Sequence, residues 1–535
     1  MTAARGAVAG ASGAVNGASG AVNGASAGRP PLLRIHGEDT VAVALEPLEK
    51  GASLSLDACV LEIREAVPPG HKVALRDIAS GERVIKYGYP IGAATADIPA
   101  GAWVHTHNLR TLLTETPEYH YQALPAALPS AAALPAALPG TISAYRRKDG
   151  QIGIRNELWI IPTVGCVNSA AAALARWADA EFGGSGGSVD GVYAWTHPYG
   201  CSQMGADHET TRLILADLAK HPNAAGVLVL SLGCENNTLE GFKAILGSYA
   251  ADTERMAFLV AQDWEDEIAE GKRLLTALAA QAGKARREAA PLSELIIGMK
   301  CGGSDGFSGV SANALLGRIC DRLSARGART ILTEVPEMFG AEQMLMDRAE
   351  SREVFEKTVA LIEDFKEYYR SQGQRVYENP SPGNKAGGIS TLEDKSCGCV
   401  QKGGRSIVRG VYRYGERIPL SQPGGLVLLE GPGNDIVSST AMTAAGAHLM
   451  LFSTGRGTPL GAPVPTIKIA SNTDLARRKP RWIDFDAGTL LGGTGGNAEA
   501  DLLQLILDVV SGAKKTRNEE NGCREIGIFK NGVTL

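Results

Sequence analysis

The chain has 535 residues, with 53 Lys and Arg against 58 Asp and Glu, and a formal net charge of −5. This length exceeds what one hydrophobic core supports, so we expect two to four domains. The small negative charge without a basic run argues against nucleic-acid binding. No apolar stretch reaches the ~18 residues of a membrane span. Nine cysteines without a secretion signal predict reduced thiols and a cytoplasmic protein.

Two low-complexity segments divide the chain. Residues 1–30 form a tail in which Gly-Ala-Ser-Gly-Ala-Val-Asn recurs, and so little apolar bulk predicts disorder. Residues 111–141 contain an Ala/Leu/Pro run at 123–140, which predicts a semi-extended linker. Three domains are therefore expected, over residues 32–110, 142–285 and 286–535.

Residues 32–110 predict a small, mostly β module. Short apolar runs between Gly and Pro turns indicate strands at Val41–Leu45, Cys59–Ile63, Lys72–Leu75 and Val84–Tyr87. Polar residues gather at His36, His71–Lys72, His105 and His107. Alternate residues of a strand face the same side, so we expect His105 and His107 to point together. Two such imidazoles bind a divalent metal or shuttle protons, and exposed histidines without a function are the alternative.

Four predicted strands beyond the linker each run into a short loop that carries a cysteine. The strands are 158–164, 191–196, 227–232 and 296–299, and the cysteines are Cys166, Cys201, Cys234 and Cys301. Ligands bind at the carboxyl edge of parallel sheets, so we expect these thiols to meet there. Three or four thiols suffice for an iron–sulfur cluster, and small buried cysteines are the alternative. Cys397 and Cys399 form a CxC, an uncommon spacing for a ligand pair.

The segment Lys300–Gly309 combines four glycines with an amine, a thiol, a carboxylate and two hydroxyls. It follows a predicted strand at 295–299 and precedes a predicted helix at 311–323 with a Ser cap. Neither GxxxxGK[ST] nor GxGxxG occurs there, so we do not expect a nucleotide. The reactive groups of Lys300, Cys301, Ser304 and Asp305 predict a ligand-binding loop, and a glycine turn without a function is the alternative.

Three further Gly-rich loops follow in the last domain. They carry Asn384 with Lys385, then Asn434, and then Arg456. A guanidinium between two glycines offers a bidentate contact to a carboxylate, and the amides and the lysine suit hydroxyl groups. Without an aromatic stacking platform, these loops predict a small hydroxylated anion as the ligand.

Ten motifs between His36 and Leu535 are distinctive. They are GHK at 70–72, VHTHN at 104–108, RNELWI at 155–160, YGCSQ at 199–203, GCENN at 233–237, the segment 300–309, TEVPEMFGAE at 333–342, PGNKAGG at 382–388, TGRGTP at 454–459 and FDAG at 485–488. Together they closely resemble the altronate/galactarate dehydratase family, and the double-histidine and RNELW motifs look more like its altronate branch. The tail, the linker and Cys397, where the family pattern has Leu, depart from it.

The resemblance implies an α/β multidomain fold, with an N-terminal SAF-type β-clip module followed by two α/β domains with largely parallel sheets. It also implies a hydro-lyase that converts D-altronate to 2-dehydro-3-deoxy-D-gluconate in hexuronate catabolism, with Fe²⁺ or Mn²⁺. Galactarate or a sulfonated hydroxy acid remain alternative substrates, and an iron–sulfur redox protein is the alternative of another class. The expected partner is a sugar acid, without nucleic acid or membrane, and a homo-oligomer is compatible with the sequence.

This chemistry assigns roles to the candidate residues. A base removes the proton at C2, cations hold the resulting enediolate, and an acid or metal assists loss of the C3 hydroxyl. Lys300 is expected to be the base or the enolate stabiliser, and Asp305 its partner or a metal ligand. The catalytic candidates are Lys300, Asp305, His71 and Lys72; the substrate-binding candidates are Arg456, Asn384, Lys385, Ser304 and Asn434. The metal candidates are His36, His105, His107 and Cys301, with a cluster on Cys166, Cys201, Cys234 and Cys301 as the alternative.

Overall fold

The structure, a computed structural model, describes residues 31–57, 59–114, 118–124, 138–184, 186–493 and 495–535. The predicted tail 1–30 and the linker residues 115–117 and 125–137 lie outside these ranges. The chain divides into two units, which we call unit 1 (Met1–Thr116 and Tyr377–Gly398) and unit 2 (Pro117–Val376 and Cys399–Leu535). In the described ranges, every helix is too short or too polar to cross a membrane.

The N-terminal part of unit 1 consists of nine short strands. They are β1 (Leu32–Leu33), β2 (Val41–Ala44), β3 (Ser53–Leu56), β4 (Cys59–Glu62), β5 (Lys72–Ala74), β6 (Arg83–Lys86), β7 (Tyr89–Ala94), β8 (Trp103–Val104) and β9 (Leu109–Arg110). They form antiparallel sheets in the orders β1-β2-β5-β8, β6-β7-β9 and β3-β4. Two clusters of small aliphatic side chains fill the space between them.

The second domain alternates strands and helices. Its elements are β10 (Thr141–Arg146), β11 (Ile152–Gly153), β12 (Glu157–Pro162), α1 (Asn168–Phe182), β13 (Val192–Ala194), α2 (Gly205–Ala219), β14 (Ala224–Ser231), α3 (Leu239–Leu246), β15 (Met256–Val260), α4 (Glu267–Ala282) and β16 (Arg287–Pro291). The central sheet, β13-β12-β14-β15, is parallel throughout. Leu158 and Ile160 of β12 pack towards α1 and α4, whereas Trp159 and Ile161 pack towards α2 and α3. Both faces are therefore covered, as in doubly wound folds.

The C-terminal domain is built on a larger parallel sheet. Its elements are β17 (Ile296–Cys301), α5 (Ala312–Ala325), β18 (Arg329–Leu332), α6 (Glu342–Met346), α7 (Arg352–Ser371), α8 (Pro382–Ala386), α9 (Leu392–Val400), β19 (Val408–Tyr412), β20 (Gly425–Leu429), α10 (Asp435–Ala444), β21 (Leu449–Thr454), β22 (Thr466–Ala470), α11 (Thr473–Arg478), β23 (Phe485–Asp486), α12 (Ala498–Val510) and α13 (Arg517–Glu520). The strand order is β19-β20-β18-β17-β21-β22-β23, with every pair parallel. Helix α8, and α9 up to Gly398, belong to unit 1.

The RNELW motif is a structural tie within unit 2. Arg155 donates to the carboxylate of Glu519 over 2.7 Å, and Arg524 donates to Glu157 over 2.8 Å. The four side chains are almost completely buried. Buried charges are tolerated when they are paired and hydrogen-bonded, so this network joins the start of β12 to the segment around α13.

The predicted fold class is confirmed, because a small β module precedes α/β domains with parallel sheets. The four strands predicted in the β module all exist, with bounds that differ by one residue. The placement of His105 and His107 on one strand is wrong, because β8 ends at Val104 and both histidines lie in the turn before β9. As a result, His105 is buried while His107 is exposed.

Candidate active site

Three strand ends of the seven-stranded sheet bring a lysine and two carboxylates together. Lys300, near the end of β17, donates to the carboxylate of Glu334, which follows β18. Its Nζ lies 2.6 Å from Oδ1 of Asp435, which begins α10 after β20. Neighbouring parallel strands share a carboxyl edge, and β18 lies between β17 and β20. The Lys300 side chain is completely buried at this edge.

The backbone of Glu334 is held in an uncommon conformation. Its φ is 65°, in the left-handed region that residues other than glycine rarely occupy. Conformations of this kind cost on the order of 1–3 kcal/mol and persist where the surrounding structure imposes them, often at functional sites. In this case the turn directs the carboxylate to Lys300.

The sulfur of Cys301 lies in a cluster next to Lys300. It is 3.4 Å from Sγ of Cys399, 3.3 Å from Oε2 of Glu337 and 2.8 Å from Nζ of Lys402. All four side chains are buried. Of the residues that the structure describes, Cys301, Glu337 and Cys399 are the one group of three metal-ligating side chains with ligand atoms within 4.8 Å of one another. Two thiols and a carboxylate fit Fe²⁺ better than Mn²⁺, which prefers oxygen ligands.

Burial and neighbouring charges set the protonation of this centre. Burial alone would lower the pKa of Lys300, but the carboxylates of Glu334 and Asp435 raise it above its ordinary value. The hydrogen bond with Cys399 lowers the pKa of the Cys301 thiol to about 7 against the effect of burial, and Lys402 assists. Lys300 therefore stays cationic at neutral pH, where Cys301 exchanges its proton.

Acidic groups outnumber cations in this centre. The four acidic groups of Glu334, Glu337, Asp435 and Cys301 face the ammonium groups of Lys300 and Lys402, and a third ammonium, that of Lys468, interacts with Asp435. Burial, and then the charge of Glu337, raises the pKa of Glu334 well above its ordinary value. A divalent cation at the Cys301 sulfur would offset this excess of acidic groups.

Asp305 anchors the Gly-rich loop, and its predicted pairing with Lys300 is wrong. Its Oδ1 accepts from the hydroxyls of Ser308 and Ser471, each over 2.8 Å, and its Oδ2 accepts from Asn472 over 3.0 Å. A Cβ added to Gly455 would lie 2.2 Å from Cγ of Asp305, so this approach requires glycine. The carboxylate of Asp305 is thus engaged in fixing two loops.

Arg456 lies next to the Lys300 loop. Its backbone N–H donates to the carbonyl of Gly303 over 2.8 Å, and its side chain is exposed. An exposed guanidinium beside buried cations is available to a ligand carboxylate, and this role stays a prediction. Ser304 of the same loop is buried. Asn434 caps α10, because its side chain accepts from the N–H of Val437, and this places Asp435 at the first position of the helix.

Unit 1 contains a charged centre of its own. Lys72 and Lys86 donate to the carboxylate of Asp394 over 2.8 and 2.9 Å, and Lys72 also donates to the carbonyl of Gly388 over 2.8 Å. The three charged side chains are buried. Burial lowers the pKa of Lys72 to about 8, and the charge of Lys86 contributes in the same direction. The carboxylate of Asp394 raises this pKa and offsets only part of the decrease. An amine with this pKa exchanges protons near neutral pH, which suits a base.

Two predicted histidines accompany Lys72. The rings of His71 and His105 lie 4.8 Å apart, and Nδ1 of His71 accepts from the indole of Trp103 over 3.1 Å. Burial, followed by the charge of Lys72, lowers the pKa of both histidines to about 4. Both imidazoles are therefore neutral at pH 7, the form that binds metals.

The remaining predicted residues of unit 1 have local partners or lie at the surface. Nδ1 of His36 accepts from the N–H of Glu38 over 3.2 Å. His107 is exposed, with its ring 5.3 Å from that of Trp103. Asn384 forms a capping box with Ser381 at the start of α8, and Lys385 is half-buried. Their predicted roles as metal or substrate ligands stay predictions.

The four cysteines expected at one edge belong to two sheets. Cys166, Cys201 and Cys234 follow β12, β13 and β14 of the second domain, whereas Cys301 ends β17 of the larger sheet. The expectation of one shared edge is therefore wrong for Cys301, because its strand pairs in another domain. The other three thiols are exposed at the edge of their own sheet.

The sequence patterns did not single out several residues of the Lys300 centre. Glu334, Glu337 and Asp435 follow predicted or observed strands, so the carboxyl-edge rule that pointed to Lys300 applies to them too. The sequence marks Cys399 only through its CxC spacing from Cys397. Lys402 carried no signal, since a lysine after a helix ordinarily faces solvent.

Three family models match the chain. The model "D-galactarate/Altronate dehydratase, C-terminal" matches residues 292–534, and "D-galactarate dehydratase/Altronate hydrolase, second domain" matches residues 144–283. The model "Altronate/galactarate dehydratase SAF domain" matches residues 30–112. The matches therefore cover both parallel sheets and the β module.

Characterised relatives are similar over nearly the whole chain. Altronate dehydratase of Escherichia coli (strain K12) is 51% identical, over 94% of this chain and 99% of the relative. Altronate dehydratase of Bacillus subtilis (strain 168) is 48% identical over the same shares. Galactarate dehydratase (L-threo-forming) of Escherichia coli (strain K12) is 33% identical, over 93% of this chain and 96% of the relative.

Proposed function

Because the chain belongs to the D-galactarate/altronate dehydratase family and is a hydro-lyase, we propose that it removes water from D-altronate to give 2-dehydro-3-deoxy-D-gluconate. Its identity to two altronate dehydratases is 51% and 48%, against 33% to a galactarate dehydratase. This difference supports D-altronate over galactarate as the substrate.

The observation that carries the proposal is the buried ammonium of Lys300 between Glu334 and Asp435. Loss of the C2 proton next to a carboxylate places negative charge on the carboxylate oxygens, and a fixed cation stabilises that charge. The raised pKa of Lys300 supports the stabilising role over the role of base, which the sequence left open. Arg456, exposed beside the same loop, is suited to orient the substrate carboxylate.

Metal assistance belongs to the same proposal. Cys301, Glu337 and Cys399 have the donor set to hold Fe²⁺, which when bound supplies a Lewis acid for substrate oxygens. Lys402, 2.8 Å from Cys301, favours the thiolate form that a metal requires. In unit 1, Lys72 has a pKa of about 8 and is the group best suited there to proton transfer.

A keto-acid assay tests the substrate and the metal together. The purified chain is stripped with a chelator, reloaded anaerobically with Fe²⁺ or Mn²⁺, and given D-altronate or galactarate, with 2-keto-3-deoxy acid measured by the thiobarbituric reaction. We expect turnover of D-altronate, with Fe²⁺ more effective than Mn²⁺. Faster conversion of galactarate than of D-altronate would contradict the proposed substrate. Full activity of the stripped chain would contradict the proposed need for a metal. In the same assay Lys300→Met should lose most of its turnover, whereas Lys357→Met, a change at an exposed lysine, should keep it.

A further inference from the structure

We propose that Cys166, Cys201 and Cys234 hold a [4Fe–4S] cluster at the carboxyl edge of the second-domain sheet. This site is distinct from the Lys300 centre, which lies at the edge of the other sheet. The proposal does not depend on which sugar acid the enzyme uses. It rests on how three loops are joined and on the exposure of their thiols.

The three cysteine loops are bonded to one another at their backbones. The N–H of Gly165 donates to the carbonyl of Tyr199 over 2.8 Å, and the N–H of Asn237 donates to the carbonyl of Gly200 over 2.9 Å. The side chain of Asn237 donates to the carbonyl of Thr163 over 3.0 Å. Each loop therefore contacts both others, and the cysteines lie within one to three residues of these contacts.

Glycine makes the closest of these contacts. Gly200 has a φ of 98°, and a Cβ added there would lie 2.0 Å from the carbonyl oxygen of Thr163. A side chain at this position is excluded by conformation and by space. The turn that carries Cys201 is thereby pressed against the end of β12, two residues before the loop of Cys166.

The exposure of the three thiols sets them apart. Cys166, Cys201 and Cys234 are exposed, whereas the other free cysteines that the structure describes are buried or half-buried. Free cysteine is among the most buried residue types, and exposed thiols are open to oxidation. Three exposed thiols on interlocked loops of one sheet edge are therefore better explained as ligands than as packing residues.

The separation of the three sulfurs argues against a single metal ion bound by all of them. Two sulfurs that bind one metal at about 2.3 Å lie at most about 4.6 Å apart. Within the described ranges, Cys301, Glu337 and Cys399 form a group of that size, and Cys166, Cys201 and Cys234 do not. In a cluster each cysteine binds a different iron, so the sulfurs are held farther apart.

A neighbouring amide offers a hydrogen bond of the kind that such clusters use. Nε2 of Gln262 donates to Sγ of Cys234 over 3.5 Å. Hydrogen bonds at the sulfurs tune the cluster, as do solvent exposure and net charge. Three protein thiolates leave one iron open, and the ligand class that fits it is a hydroxyl or carboxylate oxygen of a hydroxy acid.

Anaerobic purification or reconstitution of the full chain with iron and sulfide tests the cluster. We expect about four acid-labile sulfide and about five iron per chain, four in the cluster and one at the Cys301 centre, together with a broad visible absorption band and a paramagnetic signal after reduction. Cys166→Ser, Cys201→Ser and Cys234→Ser should each remove the sulfide and the band. Cys523→Ser and Cys399→Ser should keep both, because neither residue lies at this edge. Circular dichroism and elution volume show whether each variant is folded, and Cys→Ala replaces any Ser variant that is not.

Three results would contradict the cluster. The reconstituted chain could contain iron without sulfide, or Cys523→Ser could lose as much sulfide and visible absorption as the variants of Cys166, Cys201 and Cys234. The third result is that all three of these thiols still react with a thiol reagent after reconstitution. Turnover of D-altronate is measured separately on the same samples. Turnover without sulfide rejects the cluster alone, whereas a sulfide-containing chain inert towards D-altronate rejects the proposed substrate alone.

Discussion

The ammonium of Lys402 lies 2.8 Å from the sulfur of Cys301, with both side chains buried at the edge of the seven-stranded sheet. This contact holds a cation against a thiol whose pKa is about 7. The pair belongs to the same centre as Lys300, and it makes the thiolate available at neutral pH.

The first prediction concerns this thiolate. Lys402→Met removes the positive charge and keeps the length of the side chain, so the pKa of Cys301 should rise by about 1–3 units. The thiolate absorption is titrated with pH, and the titration of Cys301→Ser is subtracted to isolate one sulfur. Lys357→Met, at an exposed position, should leave the titration unchanged. An unshifted midpoint in Lys402→Met would show that Cys399 alone sets this pKa.

The second prediction separates stability from catalysis at Lys300. Lys300→Met leaves the buried carboxylate of Glu334 without its cation, so we expect a loss of about 3–5 kcal/mol in the free energy of unfolding. It should also reduce turnover by about 10²–10³-fold, the effect of removing one stabilising group. The double variant Lys300→Met/Glu334→Gln should regain stability but not turnover. Denaturant unfolding measures the stability, and the keto-acid assay measures the turnover. If the double variant regained turnover together with stability, Lys300 would have a structural role only.

The third prediction is a pH profile. With a pKa of about 8, Lys72 loses its proton as the pH rises, so activity that needs it as a base should increase through pH 8. Lys72→Arg keeps the charge and removes the titration, and this rise should disappear. Lys86→Arg is the matched control, since Lys86 contacts the same Asp394 but has a raised pKa. A rise near pH 8 that survives in Lys72→Arg would identify another group as its origin.

The same group gives a prediction for stability against pH. The folded-state pKa of Lys72 lies below its ordinary value of 10.5, so between about pH 8 and 10.5 the unfolded chain binds more protons. Lys72 should therefore make the protein more stable as pH rises through that window, and Lys72→Met should lose this contribution.

The fifth prediction concerns acid stability in unit 2. Burial would raise the pKa of Glu519, but Arg155 and Arg524 lower it to about 2. Its stabilising effect is present above the unfolded pKa of about 4.3 and is lost as pH falls towards 2. Glu519→Gln should remove on the order of 3 kcal/mol at pH 7 and flatten the acid limb of the unfolding curve. Glu520→Gln, at the next and exposed position, is the control.

The local elements were predictable because each leaves a local pattern. Buried apolar runs indicated β14 and β17, and apolar residues at helical spacing indicated α5 to within a few residues. The assignment of Cys301 to a different sheet from Cys166 was not predictable, since strand pairing depends on contacts distant in sequence. The same holds for Lys72, whose partner Asp394 is 322 residues away.

In the candidate site too, residues with a local sequence pattern were predictable, and residues that depend on contacts distant in sequence were not. Lys300 and Arg456 were found because a Gly-rich loop at a strand end is a local signal. The role of Asp305 could not be predicted, because an aspartate in such a loop suits a catalytic partner as well as a loop anchor. Only its hydrogen bonds with Ser471 and Asn472, which are distant in sequence, identify it as an anchor. Lys402 illustrates the limit, because nothing in its neighbours along the chain indicates burial beside a thiol.

The shared carboxylate of unit 1 sets an order of events during synthesis. Lys86 and Asp394 are 308 residues apart along the chain. At roughly 5–20 residues per second, Asp394 is made about 15–60 s after Lys86. A nascent chain that ends before Asp394 has two ammonium groups whose burial is unfavourable without that carboxylate. The N-terminal β module of unit 1 therefore completes its interior only after the residues of α9 have been translated.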